Sequence, residues 1–137
     1  MPINKRILLV DDEEVITFGF SRVLAAPEVA VDLAHTVNEA QALMSANRYD
    51  AAIIDLRLSN STEMEGFDLV TYLRSRQKAC RIMVLTAYGE DGIRAQAMAA
   101  GADLFYEKPI EPESIKNILR SYGIYGAAEG LESAIRR

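Results

Sequence analysis

The sequence predicts an α/β chain, a doubly wound parallel sheet of five strands with five helices laid over its two faces. Three observations carry that prediction. Short apolar runs alternate with segments of helical period five times along the chain. The runs are nearly continuously apolar, as in strands buried on both faces, and do not alternate as half-exposed strands do. Finally, 137 residues, half of them apolar and about a quarter charged, suffice for one domain with a core of its own.

The strands are predicted at Ile7 to Val10, Val29 to Leu33, Ala51 to Ile54, Ile82 to Leu85 and Asp103 to Tyr106, each too short for a helix and several rich in β-branched residues. Between the first two, Ile16, Phe20, Val23 and Leu24 recur at helical spacing. Thr36 and Glu39 then have capping-box spacing ahead of Ala40 and Met44, which marks the second helix. Leu69, Val70 and Leu73 mark the third, Ile93, Ala97 and Ala100 the fourth, and Ile115, Ile118, Leu119 and Tyr122 the fifth. Pro112 stands near the start of the fifth, where a missing N–H costs nothing. The domain is expected over residues 1–122. The segment 123–137, with Ala127, Leu131, Ala134 and Ile135 at helical spacing, is expected to be a short amphipathic helix or the start of a linker.

Composition excludes several classes of function. The net charge is −5 and the fifteen Lys and Arg residues are scattered, so no footprint for direct nucleic-acid binding is present. One cysteine, Cys80, excludes an internal disulfide, and with the single His35 it cannot build a zinc site of the usual kind. His35 reads as a surface residue, and Tyr122 and Tyr125 as packing residues. No stretch reaches membrane-spanning length and none reads as a signal peptide, so the expected location is the cytoplasm, with no membrane partner.

In an open parallel sheet the ligand site lies outside the C-terminal ends of the strands. At those ends the sequence puts Asp11 and Asp12, Asp55, Thr86, and, two residues past the fifth strand, Lys108-Pro109. Two carboxylates about 5 Å apart at an effective dielectric of about 20 repel by roughly 3 kcal/mol, so three of them invite a cation. Oxygen-only ligands favour a hard ion, and Mg²⁺ combines one or two carboxylates with water and phosphate oxygens. A carboxylate can also attack phosphorus to give an acyl phosphate, with a nearby ammonium such as Lys108 neutralising the transferring oxygens and Thr86 donating to one of them. Taken singly, each of these residues reads as a strand end, a turn former or a surface charge. Their common position along four strands favours a site.

Leu8-Leu9-Val10-Asp11-Asp12-Glu13, Ile53-Ile54-Asp55, Val84-Leu85-Thr86-Ala87, and Gly101-Ala102-Asp103 followed by Lys108-Pro109, together resemble the receiver domain of two-component response regulators over about residues 5–122. The resemblance implies a flavodoxin-like fold with strand order 2-1-3-4-5 and Asp55 as phosphoacceptor. It implies Mg²⁺ held by the Asp12 and Asp55 side chains and the Arg57 carbonyl, with Asp11 assisting through water. Thr86 and Phe105 are then the switch pair, and Lys108-Pro109 a cis bond. The implied partners are a sensor histidine kinase or a histidine phosphotransfer protein as donor, and a downstream protein or an output domain as receiver of the signal. A docking or homodimer surface is implied on the fourth helix, fifth strand and fifth helix, including Ile93, Phe105 and Ile115. The function so implied is a phosphorylation-dependent switch that catalyses its own phosphorylation and slow dephosphorylation, not a turnover enzyme.

Two features depart from the common pattern. The segment Ser59 to Glu65 reads as a loop about three residues longer than usual beside the phosphoacceptor, where it would alter docking or access. Arg57 and Tyr88 are bulky at positions that flank the phosphoryl group in the family, which leads to an expectation of slow self-dephosphorylation. The competing functions are an aspartyl-phosphate phosphatase and a phosphorylation-independent interaction module. Asp11-Asp12-Glu13 does not fit the phosphatase's Asp-x-Asp motif, no G-x-x-x-x-G-K-[ST] loop is present for nucleotide hydrolysis, and the complete set of site residues disfavours a silent module.

Overall fold

The structure, a computed structural model, describes residues 4–58, 63–87 and 92–125. Ten elements alternate strictly: β1 (Lys5–Val10), α1 (Glu14–Leu24), β2 (Val29–Ala34), α2 (Val37–Ala46), β3 (Ala51–Asp55), α3 (Glu63–Arg76), β4 (Arg81–Thr86), α4 (Ile93–Ala100), β5 (Leu104–Glu107) and α5 (Pro112–Ser121). All strands pair in parallel, as the alternation of elements predicts, in the order β2-β1-β3-β4-β5 that the resemblance implies. No described helix is long and apolar enough to cross a membrane.

Burial along the strands follows from this order. Every residue of β3 and all but the first of β4 are buried, because both strands are central and covered on both faces, whereas the edge strands β2 and β5 are only partly so. Alternate residues feed two cores. Leu8, Val10, Ala52, Ile54, Ile82 and Val84 face α2, α3 and α4. Ile7, Leu9, Ile53, Met83 and Leu85 face α1 and α5.

The strands run one or two residues beyond their apolar runs, because pairing extends to polar residues such as Lys5 and Thr86 that hydropathy does not mark. The fifth strand is a correction: it begins at Leu104, not Asp103. The Asp103 carboxylate is otherwise engaged, accepting from Ile82 N at 2.8 Å and from Arg74 Nη2 at 2.6 Å. The same Arg74 donates to the carbonyls of Gly101, Lys78 and Cys80, so it fastens α3 to the turn ahead of β5. At α2 only half of the capping box forms. Thr36 Oγ1 accepts from Glu39 N at 3.1 Å, but the Glu39 carboxylate reaches back one residue further, to His35 N at 2.7 Å.

Packing also continues past Tyr122. Ile124 and Tyr125 are buried in the core under α1 and α5, and Tyr125 donates its hydroxyl to the Leu24 carbonyl at 2.6 Å. Leu24 ends α1, so that carbonyl has no partner within the helix. Tyr125→Phe leaves it buried and unsatisfied, and a loss of about 1–2 kcal/mol is expected in urea denaturation. Residues 126–137 lie outside the described residues.

Gly66 fixes how closely α3 approaches the end of β3. A Cβ there would stand 2.5 Å from the Leu56 carbonyl oxygen and 3.1 Å from Leu56 Cα, both backbone atoms that cannot swing aside. Alanine gains about 1 kcal/mol of helix propensity, but the clash forces α3 away from the strand that carries Asp55. Gly66→Ala is therefore expected to lose roughly 1–3 kcal/mol net, read as a lower urea midpoint.

Candidate functional site

Four strands deliver the site. Asp11 follows β1, and its N–H extends the ladder to β2 by donating to Ala34 O at 3.0 Å. Its carboxylate is only 2% exposed and is oriented by Glu13 N, which donates to Oδ1 at 2.9 Å in an Asx turn. Asp55, the last residue of β3, is held likewise: Arg57 N donates to its Oδ1 at 3.1 Å. Asp12 is half-buried beside them. Thr86 ends β4 with no exposed surface, and its carbonyl accepts from Lys108 N at 2.8 Å, which brings the residue after β5 back over the site. The Lys108-Pro109 bond is cis.

Lys108 joins the carboxylates. Its Nζ donates to Asp11 Oδ2 at 2.7 Å and to Asp55 Oδ2 at 3.0 Å, and Glu13 Oε1 lies 3.9 Å away. One oxygen from each of Asp11, Asp12 and Asp55 falls within 4.8 Å of the others. Lys108 thus pairs with the two buried carboxylates of Asp11 and Asp55, and Asp12 brings a third carboxylate to the same place. The donor set consists of carboxylate oxygens alone, and it fits a hard divalent cation that would complete the neutralisation. In the Arg57 peptide the N–H is committed to Asp55, and Arg57 itself is exposed.

Electrostatics follow from burial. Burial pushes the Asp55 carboxyl above the ordinary carboxylate range, and nearby Asp11 adds to the rise, while Lys108 and the Arg57 N–H pull it back without cancelling it. For Lys108 burial opposes the charge, but the hydrogen bonds and negative charge of Asp11 and Asp55 outweigh it, and the ammonium is held above the usual lysine range. The site therefore holds a committed cation and a carboxylate whose ionisation still lacks full compensation.

The structure brings Asp11, Asp12, Asp55 and Lys108 together, with Thr86 at the adjoining strand end. Phe105 sits apart in mid-β5, opposite Val84, buried beneath Ile93 and Ala97 of α4. Arg94 covers it, with its guanidinium 5.2 Å from the ring centroid and Nη2 3.4 Å from the Phe105 carbonyl oxygen. Nothing in the sequence singled out Arg94, because a lone arginine on a helix is an ordinary surface residue. Glu13 was passed over as well, although it continues the Asp11-Asp12 run.

The loop expected from Ser59 to Glu65 is shorter than that, since α3 opens at Glu63; residues 59–62 and Tyr88 lie outside the described residues. His35 is half-exposed, engaged with Glu39 and with Thr17 Oγ1 at 3.3 Å. Cys80 is buried, and burial raises its thiol to about 12, so it is unreactive at neutral pH.

Comparison with known proteins gives a consistent family. The profile of the response regulator receiver domain matches residues 7–120. The photosynthetic apparatus regulatory protein RegA of Cereibacter sphaeroides is 31% identical over 120 residues, which are 88% of this chain and 64% of RegA. A response regulator from Burkholderia pseudomallei, solved with a phosphorylated aspartic acid, a calcium ion and citrate, is 32% identical, with a TM-score of 0.76 over 98% of this chain and 75% of that one. The response regulator TrrA of Thermotoga maritima, solved in complex with Mg²⁺-BeF, is 26% identical, with a TM-score of 0.72 over 86% of this chain and 98% of that one. The chain spans between 25 and 64% of the length of the curated relatives it matches.

Proposed function

Since the chain belongs to the response regulator receiver domain family, we propose that it is a signalling switch whose Asp55 accepts a phosphoryl group. The observation that carries this reading is the buried Asp55 carboxylate at the end of β3, with Lys108 Nζ 3.0 Å from one of its oxygens and Asp11 and Asp12 beside it. An Asp55 oxygen forms the new P–O bond as the donor's bond to phosphorus breaks and its electron pair leaves with the donor. With a phosphohistidine donor that pair stays on the imidazole nitrogen. Lys108 would neutralise a transferring oxygen, and the Thr86 hydroxyl would donate to one once it arrives.

The carboxylates of Asp12 and Asp55 and the Arg57 carbonyl would hold Mg²⁺, with Asp11 assisting through water. Bound there, the ion supplies positive charge against the phosphoryl oxygens. That one similar structure was solved with calcium and another with Mg²⁺-BeF supports a divalent ion as the partner of these carboxylates. Phe105, the second member of the switch pair, lies under α4, so a shift of Thr86 would be read out on the surface of α4, β5 and α5.

The donor in this reading is a sensor histidine kinase or a histidine phosphotransfer protein in the cytoplasm, and the signal passes to a downstream protein or an output domain. A switch of this kind carries one phosphoryl group per chain at a time and loses it slowly, without turning over added phosphoesters. Incubation with acetyl phosphate and Mg²⁺ tests it: the expected result is at most one acid-stable, base-labile phosphoryl group per chain, abolished by EDTA. Continuous release of phosphate from added phosphoesters, far beyond the amount of protein, would identify a phosphatase instead.

Arg57 is exposed beside Asp55 and is proposed to hinder the water that removes the phosphoryl group. Arg57→Ala is expected to shorten the acyl-phosphate lifetime several-fold, measured as loss of label after the donor is removed.

A further inference from the structure

Arg94 stands where a helix least favours a cation. It is the second residue of α4, whose first turn holds no acidic residue, and the partial positive charge of a helix N-terminus opposes a guanidinium there. Gly92, at φ 88°, supplies no side-chain cap either, so the helix does not fasten its own start. The exposed Arg94 is instead engaged with Phe105: its guanidinium lies 5.2 Å from the ring centroid, and Nη2 donates to the carbonyl oxygen at 3.4 Å. One side chain of α4 thus touches both the ring and the backbone of one residue of β5.

Although β5 is an edge strand, Phe105 is only 5% exposed. Ile93 and Ala97 of α4 pack in the same core, and the Arg94 guanidinium covers the ring from the solvent side. Phe105 pairs with Val84, two residues before Thr86, and residues two apart in a strand point to the same face. Thr86 and Phe105 therefore face one side of the sheet, one pleat apart, beneath α4.

The two ends of α4 are tied to different elements. At its C-terminal end Thr71 Oγ1 donates to Ala100 O at 3.3 Å and Arg74 Nε to Gly101 O at 3.0 Å, both from α3. At its N-terminal end Arg94 makes the tie to β5. We propose that Arg94 is the positioning residue of the switch pair: it holds the Phe105 ring in its buried place and passes any movement of that ring to the first turn of α4.

The part played in signalling rests on the phosphoacceptor reading above. An exposed cation over an aromatic face shifts an equilibrium roughly two- to fivefold. Where occupancy of Asp55 and the place of the ring are coupled, the coupling acts in both directions. A phosphoryl analogue that favours the freed ring then binds a variant without the guanidinium more tightly, and one that favours the buried ring binds it more weakly.

Fluorine NMR of the full chain labelled with para-fluorophenylalanine tests the placement. Of the lines from the four phenylalanines, the one from Phe105 is identified as that which Phe105→Leu removes. Arg94→Gln keeps a donor for the Phe105 carbonyl but loses the charge, whereas Arg94→Lys keeps the charge. Without Mg²⁺ or phosphodonor, the ratio of buried to exposed Phe105 ring is expected to fall roughly two- to fivefold in Arg94→Gln. Its line should move towards that of the exposed Phe18, and Arg94→Lys should bring it back. A Phe105 line unchanged in Arg94→Gln, or displaced equally in both variants, would overturn the proposal. Addition of beryllofluoride with Mg²⁺ is a separate arm: lines that ignore it in the wild type as well would count against the phosphoacceptor reading and leave the comparison of the two variants as it stands.

Discussion

Lys108→Met is expected to destabilise the metal-free protein by about 3–5 kcal/mol at neutral pH, the cost of leaving buried charge unpaired. Lys108 Nζ is the ammonium within 3.0 Å of both the Asp11 and Asp55 carboxylates, which are 2% and 6% exposed. Methionine keeps the aliphatic bulk, so the change reports the charge and not a cavity. The loss should depend on pH in a defined direction. Asp55 already sits above the ordinary carboxylate range because of burial, and without Lys108 it loses the partner that pulls it down.

An acid whose folded pKa is raised binds its proton more tightly when folded, so its ionisation costs stability. The cost is absent below the unfolded value of about 3.9 and grows as pH rises through the folded one. The variant should therefore regain stability on moving from pH 7.5 down to about pH 4, and Mg²⁺ should restore part of it at pH 7.5. Urea denaturation at the two pH values, with and without Mg²⁺, measures this. A small loss that is indifferent to both pH and Mg²⁺ would mean that the cation does not hold the carboxylates together.

Asp55→Asn should act in the opposite sense on stability while removing the proposed chemistry. Asparagine has a single acceptor oxygen, so it keeps the bond from Arg57 N or the one from Lys108 Nζ and turns its NH2 towards the other donor, but it removes the charge that burial disfavours, and Lys108 retains Asp11 at 2.7 Å. By the same sign argument the wild-type penalty is complete above the raised folded pKa, so the variant gains at neutral pH, and the gain disappears below about pH 3.9. A net gain of up to about 1 kcal/mol is expected without Mg²⁺ once the lost hydrogen bond is set against it, or roughly 3–5 °C in melting temperature for a domain of this size. Mg²⁺ should narrow the difference, because the wild type keeps the Asp55 carboxylate that would help to hold the ion. Thermal melts of both proteins with Mg²⁺ and with EDTA measure it. Such a result would show a site kept at the expense of stability.

These effects depend on residues that the sequence made legible to different degrees. Asp11, Asp12, Asp55 and Lys108 could be placed in advance because parallel strands end on one side of a sheet, and the residue after each apolar run falls there whatever the details of packing. The strand interiors were legible for the same reason, since central strands need continuous apolar residues. Asp103 was misplaced by one position because its carboxylate answers Arg74 and Ile82 N, partners far away in the sequence. Tyr125 was read as a packing residue, yet its hold on the Leu24 carbonyl depends on how α5 ends against α1, which no local pattern records. Arg94 over Phe105, and the close approach of Gly66 to Leu56, depend likewise on how α3 and α4 lie on the sheet.

Peptide mapping after acetyl phosphate and Mg²⁺ decides whether Asp55 is the residue that takes the phosphoryl group. The expected result is an acid-stable, base-labile adduct confined to the peptide that contains Asp55, and none anywhere in Asp55→Asn. An adduct of unchanged stoichiometry in Asp55→Asn, or one that maps to another residue in the wild type, would contradict it.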